Sequence, residues 1–138
     1  MLVRVFIVAL GLSLSACSVL DPLPPEEAIA KRAQQQADAL VALDYENALT
    51  YVSPSFQNSP RAASYQARYA GASFWNAAEV RWVRCGEDPD PQRCEVRLWV
   101  YATFPRMGPF QNQRGDNDPT SLDSVWIKVD GKWYQYLD

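Results

Sequence analysis

The stretch "AEVRWVRCGEDPDPQRCEVRLWVYATF", residues 78–104, alternates apolar and polar residues on both sides of an acidic, proline-containing middle. Period-2 alternation marks strands that bury one side. Residues 78–85 and 94–104 therefore read as two strands, with "GEDPDPQR" as the loop between them. If Cys85 and Cys94 face each other across this hairpin, paired positions sum to 179. Arg84 then opposes Glu95, Trp82 opposes Arg97, and Val80 opposes Trp99. One face carries Trp82, Arg97, Trp99 and Tyr101. It is a candidate contact face, because aromatic and arginine side chains are enriched where binding energy concentrates. The plainer reading is a cross-strand ladder that only stabilises the hairpin. The other face holds Val83, Val96, Leu98 and Val100 as expected core, continuing to Ala102 and Phe104. It also holds Glu79 and Arg81. Either a β-bulge returns these charges to solvent, which is the reading adopted, or they line the mouth of a pocket.

Downstream, "DSVWIKV" (123–129) and "KWYQYL" (132–137) flank Asp130-Gly131, a strong two-residue hairpin signal. Upstream the period is helical. Ile29, Ala33, Ala37, Leu40 and Val41 form one stripe over residues 26–43, with Glu26 and Glu27 in the first turn and the glutamines 34–36 on a solvated face. Asp44 is placed to cap a second helix, "YENALTYV", which turns Tyr45, Ala48, Leu49 and Val52 inward and ends at Ser53-Pro54. Ser59-Pro60 opens a third, with Ala62, Tyr65 and Tyr69 on one side and Gly71 as its stop. Three helices followed by four antiparallel strands predict an α+β domain, with the helices on one face of the sheet.

This order resembles the nuclear-transport-factor-2-like superfamily over roughly residues 26–137. The phrase "ALVALDYENALTYVSPSF" and the hairpin end "VDGKWYQ" are similar to stretches that recur in its small envelope lipoproteins. The resemblance implies helices packed on a curved antiparallel sheet, forming a cone. Some members of the superfamily are isomerases or cyclases, while others only bind ligands or partners, so the fold does not carry the function.

The N-terminus fixes an expected compartment. Arg4 and the apolar run Val5 to Leu14 are too short to span a bilayer, which takes roughly 20 residues, but they suit a secretory signal. The tetrad Leu14-Ser15-Ala16-Cys17 looks like a bacterial lipobox. That resemblance implies cleavage after residue 16 and lipidation of Cys17, with residues 17–25 as a proline-rich tether and residues 26–138 as one domain. Two or more acyl chains hold a protein stably to a membrane. By the family's sorting rule, Ser18 rather than Asp after the cysteine favours the outer membrane, facing the periplasm. An oxidising periplasm permits disulfides, so Cys85 and Cys94 are expected to be bonded.

Composition excludes several classes. The chain has 13 Lys+Arg, 16 Asp+Glu, a net charge of −3 and no basic run, so nucleic acid is not an expected partner. It has no histidine, which removes Ser-His-Asp and Cys-His nucleophiles and most zinc sites. Residues 106–123 form a long loop with Asp116, Asp118 and Asp123, but without the glycine and closing glutamate of an EF-hand. No metal or other cofactor is expected. Glu79, Arg81, Tyr45 and Tyr65 are the candidate pocket residues. Tyr51, Tyr69 and Asp44 add the residue types that isomerase-like chemistry would need, although tyrosines on helical stripes are more commonly core anchors. The sequence therefore predicts a non-enzymatic envelope lipoprotein that binds an envelope protein or a second copy of itself. The alternative is a small-molecule-binding or isomerase-like protein that uses the cone interior.

Overall fold

A computed structural model of the chain describes residues 23–105 and 118–138. The long helix α1 (Pro25–Val41) leads into short helices α2 (Tyr45–Leu49) and α3 (Pro54–Gln57). After them come a 3-10 turn (Pro60–Ser64), α4 (Tyr65–Arg68) and a second 3-10 turn (Ala70–Phe74). Strands β1 (Trp75–Arg84), β2 (Arg93–Ala102), β3 (Thr120–Val129) and β4 (Lys132–Gln135) follow. They form one antiparallel sheet in the order β1-β2-β3-β4. This is an α+β fold, with helices packed against one curled, four-stranded antiparallel sheet.

The curl is visible in what α1 touches. Gln34 accepts from Val80 N (3.0 Å) and donates to Ala78 O (2.9 Å) on edge strand β1. Two residues away, Arg32 Nε donates to Trp133 O (2.6 Å) on β4, at the other end of the sheet. One helical turn spans only about 5.4 Å, so the two outer strands bend round to meet the same stretch of helix. Both contacts satisfy edge-strand backbone groups that would otherwise lack partners. They also correct the expectation that glutamines 34–36 form a solvated face. Gln34 serves β1, and Gln36 is buried.

Two packed clusters fill the space between helices and sheet. The first joins Ile29, Ala33 and Ala37 of α1 to Ala78, Val96, Leu98, Val100, Trp126 and Trp133 of the sheet. The second joins Leu40, Ala48, Val52, Phe56, Tyr65 and Ala72 among the helices. The apolar stripe of α1 is therefore core as expected, with Val41 half-buried. Asp44 caps α2, its Oδ1 accepting from Asn47 N at 3.2 Å. Between α1 and α2, Leu43 takes φ 58°, and Asp44 N donates to Ala39 O while Leu43 N donates to Leu40 O. This is a Schellman stop made without the usual glycine.

Other boundaries differ from expectation. Helix two stops at Leu49, because Val52 leaves to bridge Gln135 beside β4. Ser53-Pro54 therefore starts α3 instead of ending its predecessor. The expected third helix is broken into 3-10 and α segments from Pro60 to Phe74, although Ser59 caps its start by accepting from Arg61 N. β3 begins at Thr120, so Asp123 belongs to a strand and not to a loop. Asp130 and Gly131 both take positive φ, 49° and 76°, as a type I′ hairpin requires. Phe104 lies past the end of β2, exposed and in tilted ring contact with Phe74, rather than in the core.

Candidate interaction face and cavity

A disulfide joins Cys85 and Cys94 at the base of the β1–β2 loop. Beside it the expected register holds: Arg84 opposes Glu95, Val83 opposes Val96, and Trp82 opposes Arg97. Then a bulge intervenes. Val80 opposes Leu98 and Glu79 opposes Trp99, leaving Arg81 as the extra residue. The shift corrects the sequence-derived pairs Val80–Trp99, Glu79–Val100 and Arg81–Leu98. Val80 turns inward and both charged residues are exposed.

The outer side of the sheet is thus continuous. The Tyr101 hydroxyl donates to Glu79 Oε1 at 3.0 Å. The Arg81 guanidinium lies 4.3 Å from the Trp99 ring centre. Trp82 is covered by Arg84 at 4.1 Å and Arg97 at 4.9 Å. Arg97 reaches on to β3, where its Nε and Nη2 meet the two Asp123 carboxylate oxygens at 2.7 Å each. This bidentate pair holds the Asp123 carboxyl below its ordinary range through the hydrogen bonds from Arg97. Trp82, Arg97, Trp99 and Tyr101 are all half-buried, so each keeps part of its surface in contact with solvent.

The inner side is chemically different. Gln36 Nε2 donates to Gln135 Oε1 (2.7 Å) and to the Tyr65 hydroxyl (3.2 Å). Gln135 Nε2 in turn donates to the Tyr69 hydroxyl at 3.0 Å. Burial pushes the phenols of Tyr65 and Tyr69 up from their ordinary value. Both are therefore held as neutral hydrogen-bonding groups at physiological pH. Among the described residues no buried side-chain polar atom lacks a partner.

The structure scatters the candidate pocket residues. Glu79 and Arg81 lie on the outer face, and Tyr65 is sealed in the core. Tyr45 is half-buried and donates to Tyr69 O at 3.4 Å. Asp44 is an exposed helix cap, and Tyr51 sits beside β4. No constellation of a carboxylate with tyrosine donors is assembled from them. Cys17 and Asp116 lie outside the described residues; Asp118 is exposed and Asp123 is committed to Arg97. Among the described residues no group of three acidic or cysteine side chains could hold a metal, and no helix is long and apolar enough to cross a membrane.

A cavity of about 540 Å³ lies elsewhere, half-open at the β3 edge. Tyr69, Trp75, Leu122, Ser124, Gln135 and Leu137 line it, and Trp82 and Asp123 reach its rim. It arises because β4 pairs only with Trp126–Val129, leaving the first half of β3 without a strand beyond it among the described residues. No sequence signal marked it: the last two strands read as nearly equal, residues 123–129 and 132–137, whereas β3 has ten residues and β4 only four.

No protein-family model matches this sequence, and no curated protein shows a significant match. Solved structures do resemble it. A SEC-C motif-containing protein from Psychrobacter arcticus is similar with a TM-score of 0.56 and 14% identity, over 85% of this chain and 63% of that one. This chain thus spans less than two thirds of that protein's length. A protein named an NTF2-like transpeptidase, from Campylobacter jejuni, has a TM-score of 0.47 and 15% identity, over 78% and 96% of the two chains. A SEC-C motif-containing protein from Rhodopseudomonas palustris has a TM-score of 0.43 and 16% identity, over 72% and 68%. At these identities the likeness concerns the fold alone.

Proposed function

We propose that this chain is a lipid-anchored, non-enzymatic interaction module of the bacterial cell envelope. Cys17 tethers it to the outer membrane on the periplasmic side, and the outer face of the sheet makes its contact with an envelope protein or a second copy. The observation that carries this reading is the unbroken row of Trp82, Arg97, Trp99 and Tyr101 on the side of the sheet away from α1. Rigid aromatic and arginine side chains held in place before binding lose little entropy when a partner covers them. The lipobox order around Cys17 supplies the anchor. Metabolic labelling with a fatty-acid analogue tests it: the wild-type chain takes up label and partitions with membranes. A Cys17→Ala chain that still labels and fractionates with membranes would refute the anchor.

A second reading rests on the cavity of about 540 Å³ at the β3 edge. Its mixed lining suits a small, mostly apolar ligand. Filling it with Leu122→Trp should abolish any ligand-induced rise in melting temperature while leaving crosslinked partners unchanged.

A further inference from the structure

At the β4 edge, away from the outer-face ladder, hydrogen-bond donors gather with a single backbone carbonyl as acceptor among the described residues. Arg32 Nε is used by Trp133 O. Its guanidinium lies 4.9 Å from the Tyr51 ring centre and 5.2 Å from that of Tyr134. Lys132 Nζ lies 5.7 Å from the same Tyr134 ring. Tyr51 is brought there by the backbone: Gln135 N donates to Tyr51 O at 2.8 Å, and Val52 bridges Gln135. Among the described residues neither Arg32 nor Lys132 has an acidic partner; the ion pairs are Arg97–Asp123 and Lys128–Asp90. No hydrogen bond engages the hydroxyl of Tyr51 or Tyr134 within the same set.

A guanidinium carries five N–H donors in a fixed fork. The Trp133 carbonyl occupies Nε alone, which leaves the Nη1–Nη2 end without a hydrogen-bond partner among the described residues. Arg32 is half-buried, and a cation partly removed from water is costly unless an acceptor compensates it. Capping the edge-strand carbonyl and stacking on the two rings hold the guanidinium in place, and they leave the far end of its fork without a hydrogen-bond partner among the described residues. Carboxylate and phosphate oxygens match the free end of the fork bidentately, and two phenols and an ammonium beside it add further donors. We propose that Arg32, Tyr51, Lys132 and Tyr134 form a binding site for a small anionic group, a carboxylate or a phosphate. The site does not depend on the outer face being a contact surface.

The test is a titration of the full-length protein in non-ionic micelles, following the Arg32 Nε–H and Tyr134 ring resonances. Sodium acetate, inorganic phosphate and micelle-borne phosphatidylglycerol are the probes, with sodium chloride at matched ionic strength as the control. A saturable shift is expected with at least one probe and not with chloride. Acetate alone assigns a carboxylate, inorganic phosphate a free phosphate, and phosphatidylglycerol alone a lipid headgroup phosphate. Arg32→Gln should abolish the Tyr134 response. The double change Tyr51→Phe with Tyr134→Phe keeps both rings and removes both hydroxyls, so it tests the site even where Arg32→Gln fails to fold. It should weaken binding at least threefold. No probe exceeding chloride, an undiminished Tyr134 response in folded Arg32→Gln, or unchanged affinity in the double phenylalanine variant would each overturn the site.

Discussion

The two sides of β2 differ by one residue of register and by almost everything else. On the inner side Cys94, Val96, Leu98 and Val100 are buried against α1 and the neighbouring strands. On the outer side Glu95, Arg97, Trp99 and Tyr101 alternate with them and meet Arg84, Trp82 and Glu79 of β1, side chains that remain in contact with water. Burial of apolar area is the main stabilising term in folding, whereas exposed ion pairs contribute about 0–1 kcal/mol. Stability therefore resides on the inner side, and the outer side can carry recognition at little cost to the fold.

The largest expected effect is on the inner side. Trp126 is 1% exposed at the centre of the α1–sheet cluster. Trp126→Ala should destabilise by about 3–5 kcal/mol, the usual cost of deleting a buried tryptophan, measurable by chemical denaturation. A loss below about 1 kcal/mol would mean that the inner side does not carry the fold.

Next is the disulfide, which closes the β1–β2 loop between the two sides. Replacing both Cys85 and Cys94 with serine should cost about 2.5–3 kcal/mol in the chain-entropy model. Cys94 is itself buried, so the loss should not fall below that figure. Peptide mapping without reductant should recover the two segments linked.

The two sides should also titrate in opposite directions. Tyr65 and Tyr69 have folded-state values raised by burial. Their stabilisation is complete below the ordinary tyrosine value near about 10 and is lost as pH rises above it. Asp123 has a lowered value through Arg97, so its contribution is present above the ordinary carboxylate value near about 4 and is lost as pH falls through the folded value. The alkaline loss should be the larger, because Asp123 is exposed and screened by solvent. Melting curves of Tyr65→Phe and Asp123→Asn across pH would reveal a reversed order. The smallest effect is outside both faces: Leu43→Gly relieves a non-glycine residue at φ 58° and should stabilise by roughly 0.5–1 kcal/mol.

The contrast between the sides was largely legible in the sequence, because it follows from alternation and one cysteine pair. Counting from Cys85 and Cys94 gives the correct partners as far as Trp82 and Arg97. It fails at Arg81, where one extra residue shifts everything beyond. A bulge costs the local pattern nothing that alternation can reveal, and only the awkward placement of Glu79 and Arg81 hinted at it. Helix ends were less legible. Leu43 occupies a position that usually takes glycine, and Val52 abandons a helical pattern to pair with Gln135, a tertiary demand that local propensity does not record. The cavity and the Arg32 cluster were invisible for the same reason. Each is assembled from segments about 50 to 100 residues apart, and neither side of the contact carries a motif.

On the function proposed above, the outer face binds a partner and does not merely brace the hairpin. In-cell crosslinking and sedimentation of the full-length protein carrying Arg97→Ala with Trp99→Ala separate the two. The expected result is a folded protein that melts only slightly earlier and has lost a crosslinked partner or its self-association. A folded double variant with unchanged crosslinks and unchanged sedimentation would contradict the claim, and the ladder would then be structural alone.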